Sequence, residues 1–209
     1  MVFSFFIVGN AKAATGVWQS CETGTLTCDI NWNWSMGYKF TPTQNGQITQ
    51  LCGYFSGTKT VKLYSSSYDV LASVSVTSSN NWSCSSITPI NVIASQTYYV
   101  VVELADSLGC YRTFSSPFPM TCQTVTIGPT VYQSPSGTFN GNHLEYSLQM
   151  YGIADVVFVP TVISYTLTVA KSGTGSGIVT SNPAGINCGM DCTENYTPSA
   201  SVTLPVTPA

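Results

Sequence analysis

Charge is what this sequence has least of. Lysine, arginine, aspartate and glutamate make up 7% of its 209 residues, against about 25% in an ordinary soluble domain. The six Lys and Arg residues stand singly and the formal net charge is −3. No basic stripe exists to hold a phosphate backbone, which excludes nucleic acid as a partner. There is a single histidine, His143, distant in sequence from every cysteine. CxxC pairs are missing, so no zinc spacing is present, and the missing CxxCH excludes covalent haem. Neither GxSxG nor a DxDxDG calcium loop occurs. The nine acidic residues are not paired in sequence in the way a glycosidase would advertise. No segment carries a sustained 3.6-residue apolar period, so helix should be minimal.

These gaps leave few candidates for chemistry. Glu103 and Asp106 are close enough to share a cation with backbone carbonyls, but they lack a ligand-dense loop around them. His143 has the same strand parity as Glu145 and the reach of a general base, yet a turn histidine beside a strand acid reads more simply as structural. The expectation is a chain with no catalytic residue, cofactor or metal.

Hydrophobic residues reach 44% and aromatics 12%, ample for a buried core under an uncharged polar surface. The opening "MVFSFFIVGNAKAATG" combines an apolar run with small residues at Ala11, Ala13 and Ala14. It looks like the end of a secretory signal peptide, residues 1–13, though no basic residue precedes the run, so its true start is expected upstream. Met1–Val8 is far shorter than the about 20 residues of a bilayer span, so no membrane span is expected in the mature chain. Cysteines at positions 21, 28, 52, 84, 110, 122, 188 and 192 agree with an oxidising, exported destination and read as disulfides. Six in the first region allow 15 connectivities. Local geometry favours Cys21 with Cys28, Cys110 with Cys122 and Cys52 with Cys84, while Cys188 and Cys192 would staple a turn.

From residue 15 to 158 short alternating segments are punctuated by Gly, Pro, Asn and Ser, the rhythm of an all-β domain. Strands are expected over 37–41, 46–54, 60–64, 70–76, 82–93, 97–104, 125–132 and 144–153. That number and spacing predict an antiparallel β-sandwich, jelly-roll or immunoglobulin-like. Residues 159–164 read as a linker around Pro160, and 165–209 as a smaller, partial β domain.

The sharpest motif is "NWNWSMGYKF" at 31–40. On a regular strand, Trp32, Trp34, Met36, Tyr38 and Phe40 share one face. Burial of such a face is worth roughly 1.5 to 3 kcal/mol per residue, which favours core. A bulge at Gly37 would free Trp32 and Trp34 to stack on the apolar face of a sugar, with Asn31 and Asn33 hydrogen bonding at its edge. Trp82 reads as core packing, and one of the adjacent Tyr98 and Tyr99 should face solvent. The sequons at Asn33, Asn81 and Asn195 read as accidental in a chain so rich in Asn, Ser and Thr.

The stretch 37–104 resembles a bacterial extracellular β-sandwich family of unknown function that recurs as a module of secreted carbohydrate-active and surface proteins. Phe40 before a proline and the Gly46 turn, the "VKLYSSSYDVLASVSV" hairpin, Trp82, and "VIASQTYYVVV" carry the likeness. The resemblance implies a fold and an extracellular location but transfers no catalytic residue. "SGTGSGIVTSNPAGINCGMDC" followed by a strand ending in "TPA" resembles the bacterial repeat related to internalin B-repeats, without the Trp-containing segment that normally follows. That implies a piece of a longer multi-module protein. Together these readings predict a non-catalytic module in adhesion or presentation with a glycan or cell-surface partner, or alternatively an accessory carbohydrate-binding module of a larger glycan-active enzyme.

Overall fold

The computed structural model describes residues 15–31, 33–105, 109–113, 118–151, 153–161 and 163–208, and for residues 29 and 30 the backbone alone. The expected signal segment lies outside them. The chain divides into two compact units, Met1–Thr161 and Val162–Ala209, and no helix occurs among the described residues.

Among the described residues eleven strands build the first unit: β1 (Thr25–Ile30), β2 (Trp34–Pro42), β3 (Gly46–Tyr64), β4 (Val70–Val92), β5 (Tyr98–Leu104), β6 (Gly109–Thr113), β7 (Met120–Cys122), β8 (Val125–Gln133), β9 (Leu144–Tyr146), β10 (Gln149–Tyr151) and β11 (Ala154–Pro160). The architecture is an antiparallel β-sandwich. The large sheet runs β11-β3-β5-β2-β8-β7, with β4 on β3 and β9 on β8, and a small sheet runs β1-β6-β10.

Its organising element is the β3–β4 hairpin. Segments expected as separate strands, 46–54 with 60–64 and 70–76 with 82–93, are continuous here. Register shifts near Ile48, Phe55 and Leu63 bend the pair, as bulges do. The early part of β3 therefore pairs with β11 and its last five residues with β5, which carries one hairpin around a corner of the sandwich. Ser65 closes the turn, its Oγ accepting hydrogen bonds from the amides of Ser67 and Asp69.

Alternation on β2 works as the sequence suggests. Met36, Tyr38 and Phe40 are buried in the main core with Trp18, Leu51, Phe55, Val100 and Val102. Gly37 lies between them where β2 runs close to β5. A Cβ there would come within 1.9 Å of the Val100 carbonyl oxygen. Gly37→Ala should lower stability by about 1–3 kcal/mol, the usual cost of overpacking. A urea midpoint equal to that of the parent would show that the two strands can move apart freely.

The opposite face holds a surprise for Tyr98 and Tyr99. Both are buried, contrary to the expectation that one faces solvent. Tyr98 enters the main core, and Tyr99 joins a second cluster with Tyr64, Val101, Val131 and Phe139. Phe139 comes from the long connection between β8 and β9, which crosses that face and covers it.

The disulfides also depart from local pairing. Cys21 bonds to Cys122 and Cys28 to Cys110, replacing the expected Cys21–Cys28 and Cys110–Cys122 pairs. The reason is that β1 pairs with β6, setting Thr27 opposite Tyr111 and bringing Cys28 beside Cys110. Cys52 and Cys84 face each other across the hairpin and are bonded, as are Cys188 and Cys192. Val159 and Pro160, expected in the linker, instead finish β11, with Pro160 opposite Gly46. An edge strand tolerates a proline because one side of it needs no ladder donor.

The second unit has β12 (Tyr165–Thr168) paired with β14 (Thr193–Tyr196), and β13 (Gly177–Val179) paired with β15 (Val206–Pro208). Its interior is slight: Ile186 and Cys188 are buried, and the Ser181 hydroxyl accepts hydrogen bonds from the Ile186 amide and the Tyr196 hydroxyl.

Candidate functional site

Trp34 opens β2, at the end of the face that buries Met36, Tyr38 and Phe40. Being terminal, its indole is only half-buried. It packs on Tyr132, near the end of β8, with ring centroids 5.7 Å apart. Tyr132 meets Tyr151 of β10 at 5.6 Å, and Tyr151 meets Tyr146 of β9 at 5.9 Å and Tyr111 of β6 at 6.0 Å. A strip of aromatic rings thus leads from the large sheet to the small one. Beside Trp34 and Tyr132 a cleft of about 360 Å³ opens, also lined by Gln133, Ser134, Asn142 and Leu144.

The cleft's wall is held firmly. Gln133 exchanges two hydrogen bonds with Asn140, one from its Nε2 to Asn140 Oδ1 and one accepted by its Oε1 from the Asn140 amide. The Ser134 hydroxyl donates to the Asn33 carbonyl, and Asn33 Oδ1 accepts from the Ser136 amide. Asn33 therefore anchors the loop and does not project its carbonyl toward a ligand. Asn31 is exposed, and Trp32 lies outside the described residues. By contrast, the side-chain amide of Asn142 is exposed and makes no hydrogen bond among the described residues.

None of the described lining residues is an acidic or basic one. Burial, and then the neighbouring Tyr146, Tyr132 and Tyr111, raise the Tyr151 phenol above its ordinary range. Lys39 Nζ donates to Glu145 at 2.8 Å, and Arg112 lies 3.2 Å from Glu22 while donating to the Gly24 carbonyl at 3.1 Å.

The sequence of the first unit matches the family described as Domain of unknown function (DUF4082) over residues 23–153. The chain belongs to this family. No match was found among curated proteins. The DUF4082 match takes in β1 to β10 and every residue of the aromatic strip. It stops just before β11, although that strand completes the sheet by pairing with β3.

Other candidates within the DUF4082 domain are committed elsewhere. His143 stacks on Phe139 at 4.9 Å, touches Tyr68 and Tyr99, and sits 3.6 Å from Glu145. It acts as a wedge in the second cluster. Burial there pushes the Tyr99 phenol well above its usual range. Glu103 accepts from Lys62 Nζ at 2.6 Å. Asp106 lies outside the described residues, and no metal-ligating cluster occurs among those described. Trp82 is half-buried edge-on to Tyr54, and its Nε1 donates to Glu22 at 3.1 Å.

Tyr132, Tyr146, Tyr151 and Asn142 carry no motif in sequence. They sit on separate strands and a loop, and only the β2–β8–β9 pairing and the approach of β10 assemble them around Trp34.

Proposed function

We propose that this chain is a non-catalytic module of a secreted or cell-surface protein and that its DUF4082 domain binds glycan at Trp34. The observation that carries this reading is a half-buried indole continuous with a strip of tyrosines beside a neutral, amide-lined cleft. An aromatic ring offers an apolar face that suits the C–H face of a sugar, while amides and phenols at its margin suit hydroxyls. Concave sites of this size with few polar groups are the common form of small-ligand pockets. Four disulfides support an oxidising location. On this reading the second unit is part of a repeat domain related to internalin B-repeats and serves as spacer in adhesion or presentation.

The test is tryptophan fluorescence of the full chain with disulfides intact, titrated first with a collisional quencher and then with a panel of soluble polysaccharides. One glycan should shift the emission and protect it from quencher, and Trp34→Ala should abolish that response. An emission unchanged by every polysaccharide would refute glycan binding at this site.

A further inference from the structure

We infer that the Trp34 cleft accepts a single, soluble, uncharged oligosaccharide chain and rejects both the flat face of a crystalline polysaccharide and a polyuronate. This rests on the glycan reading and narrows it. The two rings that line the cleft, Trp34 and Tyr132, are inclined to each other by 54°. A crystalline surface presents sugar faces in one plane and demands coplanar rings. Inclined rings suit a chain that turns along its length and can offer a C–H face to one ring and an edge to the next.

At about 360 Å³ the cleft is near the lower end of ligand pockets, which span roughly 300 to 1,000 Å³. It holds a short stretch of chain and not a sheet of them. Among the described residues no ionised group lines the cleft, and Lys39 and Arg112 are paired with Glu145 and Glu22. A carboxylated or sulfated sugar would lose hydration there without gaining a cation.

The polar recognition falls to Asn142, whose amide offers a donor and an acceptor with no partner among the described residues to displace. The fixed hydrogen bonds of Gln133 and Ser134 leave the wall preorganised, which reduces the ordering cost of binding.

The 209-residue chain would be titrated by calorimetry with cellohexaose, xylohexaose, mannohexaose and chitohexaose, and sedimented with microcrystalline cellulose, with α-chitin and, separately, assayed against polygalacturonate. At least one neutral hexasaccharide should bind. Trp34→Ala should weaken it about thirtyfold, as loss of a central aromatic anchor does, and Asn142→Ala about fivefold, the loss of one hydrogen bond. Because Asn142 is exposed and its side chain supports nothing, its variant should unfold at the parent's urea midpoint, so a binding loss there is not a folding loss. Binding confined to sedimented crystalline polymer or to polygalacturonate, still sensitive to Trp34, would overturn this inference and leave glycan binding standing. Binding to none of the probes, or binding that neither substitution changes, would overturn both.

Discussion

Removing both Cys21–Cys122 and Cys28–Cys110, by serine substitution of Cys21 and Cys28, should lower the stability of the first unit by about 7 kcal/mol, more than the sum of the two single removals. The two bonds close nested loops, with sequence separations of 101 and 82. While either bond remains, breaking the other releases only the difference, 101 − 82 = 19 residues of loop. On the chain-entropy account a loop of that size is worth about 3 kcal/mol. Breaking the second as well frees the long loop between residues 28 and 110, shortened by the Cys52–Cys84 bond, for about another 4 kcal/mol. Singles of about 3 each and a pair of about 7 make the excess near 1 kcal/mol. Against a total stability of about 5–15 kcal/mol such a loss removes roughly half of it or more. Urea unfolding of both singles and the double measures this directly. Strict additivity, or a double variant as stable as either single, would mean that the unfolded chain is not free to exploit the released loops.

The nesting could not be read from spacing because it depends on one strand pairing. Residues 25–30 and 109–113 are short, polar segments that carry little strand signal, and once they pair as β1 and β6 the cysteines follow. What was legible was local. The alternation of Met36, Tyr38 and Phe40, the hairpin turn at 65–69 and the all-β class follow from periodicity and turn chemistry, which act over a few residues. What was not legible was who covers what. Tyr99 is buried because Phe139, forty residues later, crosses its face, and two predicted strands merge into β3 because bulges bend a strand without ending it. The aromatic strip belongs to the same class of fact. Trp34 was visible in "NWNW", whereas the ring that receives it, Tyr132, is supplied by the β2–β8 register, with Tyr132 opposite Met36.

Asp155 is the other feature that only the fold reveals, and it yields the second large effect. A lone carboxyl in the apolar run "IADVVFVP" is fully buried, where such a group requires partners. Oδ1 accepts from the Tyr38 hydroxyl at 2.6 Å, the Trp18 amide at 3.0 Å and the Val156 amide at 2.8 Å; Oδ2 accepts from the Gln19 amide at 2.8 Å. Gly16 makes room, since a Cβ there would lie 2.1 Å from Oδ2. One carboxyl thus fastens the N-terminal turn to β11 and to the centre of β2. Asp155→Ala would leave these donors buried without an acceptor and should cost about 3–5 kcal/mol. The titration follows a definite sign. Burial raises this carboxyl to about 6, with the hydrogen bonds of Tyr38, Gln19, Trp18 and Val156 opposing the rise, while the unfolded chain should titrate near an ordinary 3.9. Between those values the folded protein holds a proton that the unfolded one has released. The contribution is fully present below pH ~4 and is lost as pH rises through about 6, amounting to about 3 kcal/mol across the window. Asp155→Asn keeps the shape and cannot titrate, so its urea midpoint should lose this fall between pH 4 and 6 relative to the parent. A parent whose stability instead rises over that interval, with the rise abolished in Asp155→Asn, would show that the four hydrogen bonds outweigh desolvation and hold the carboxylate charged.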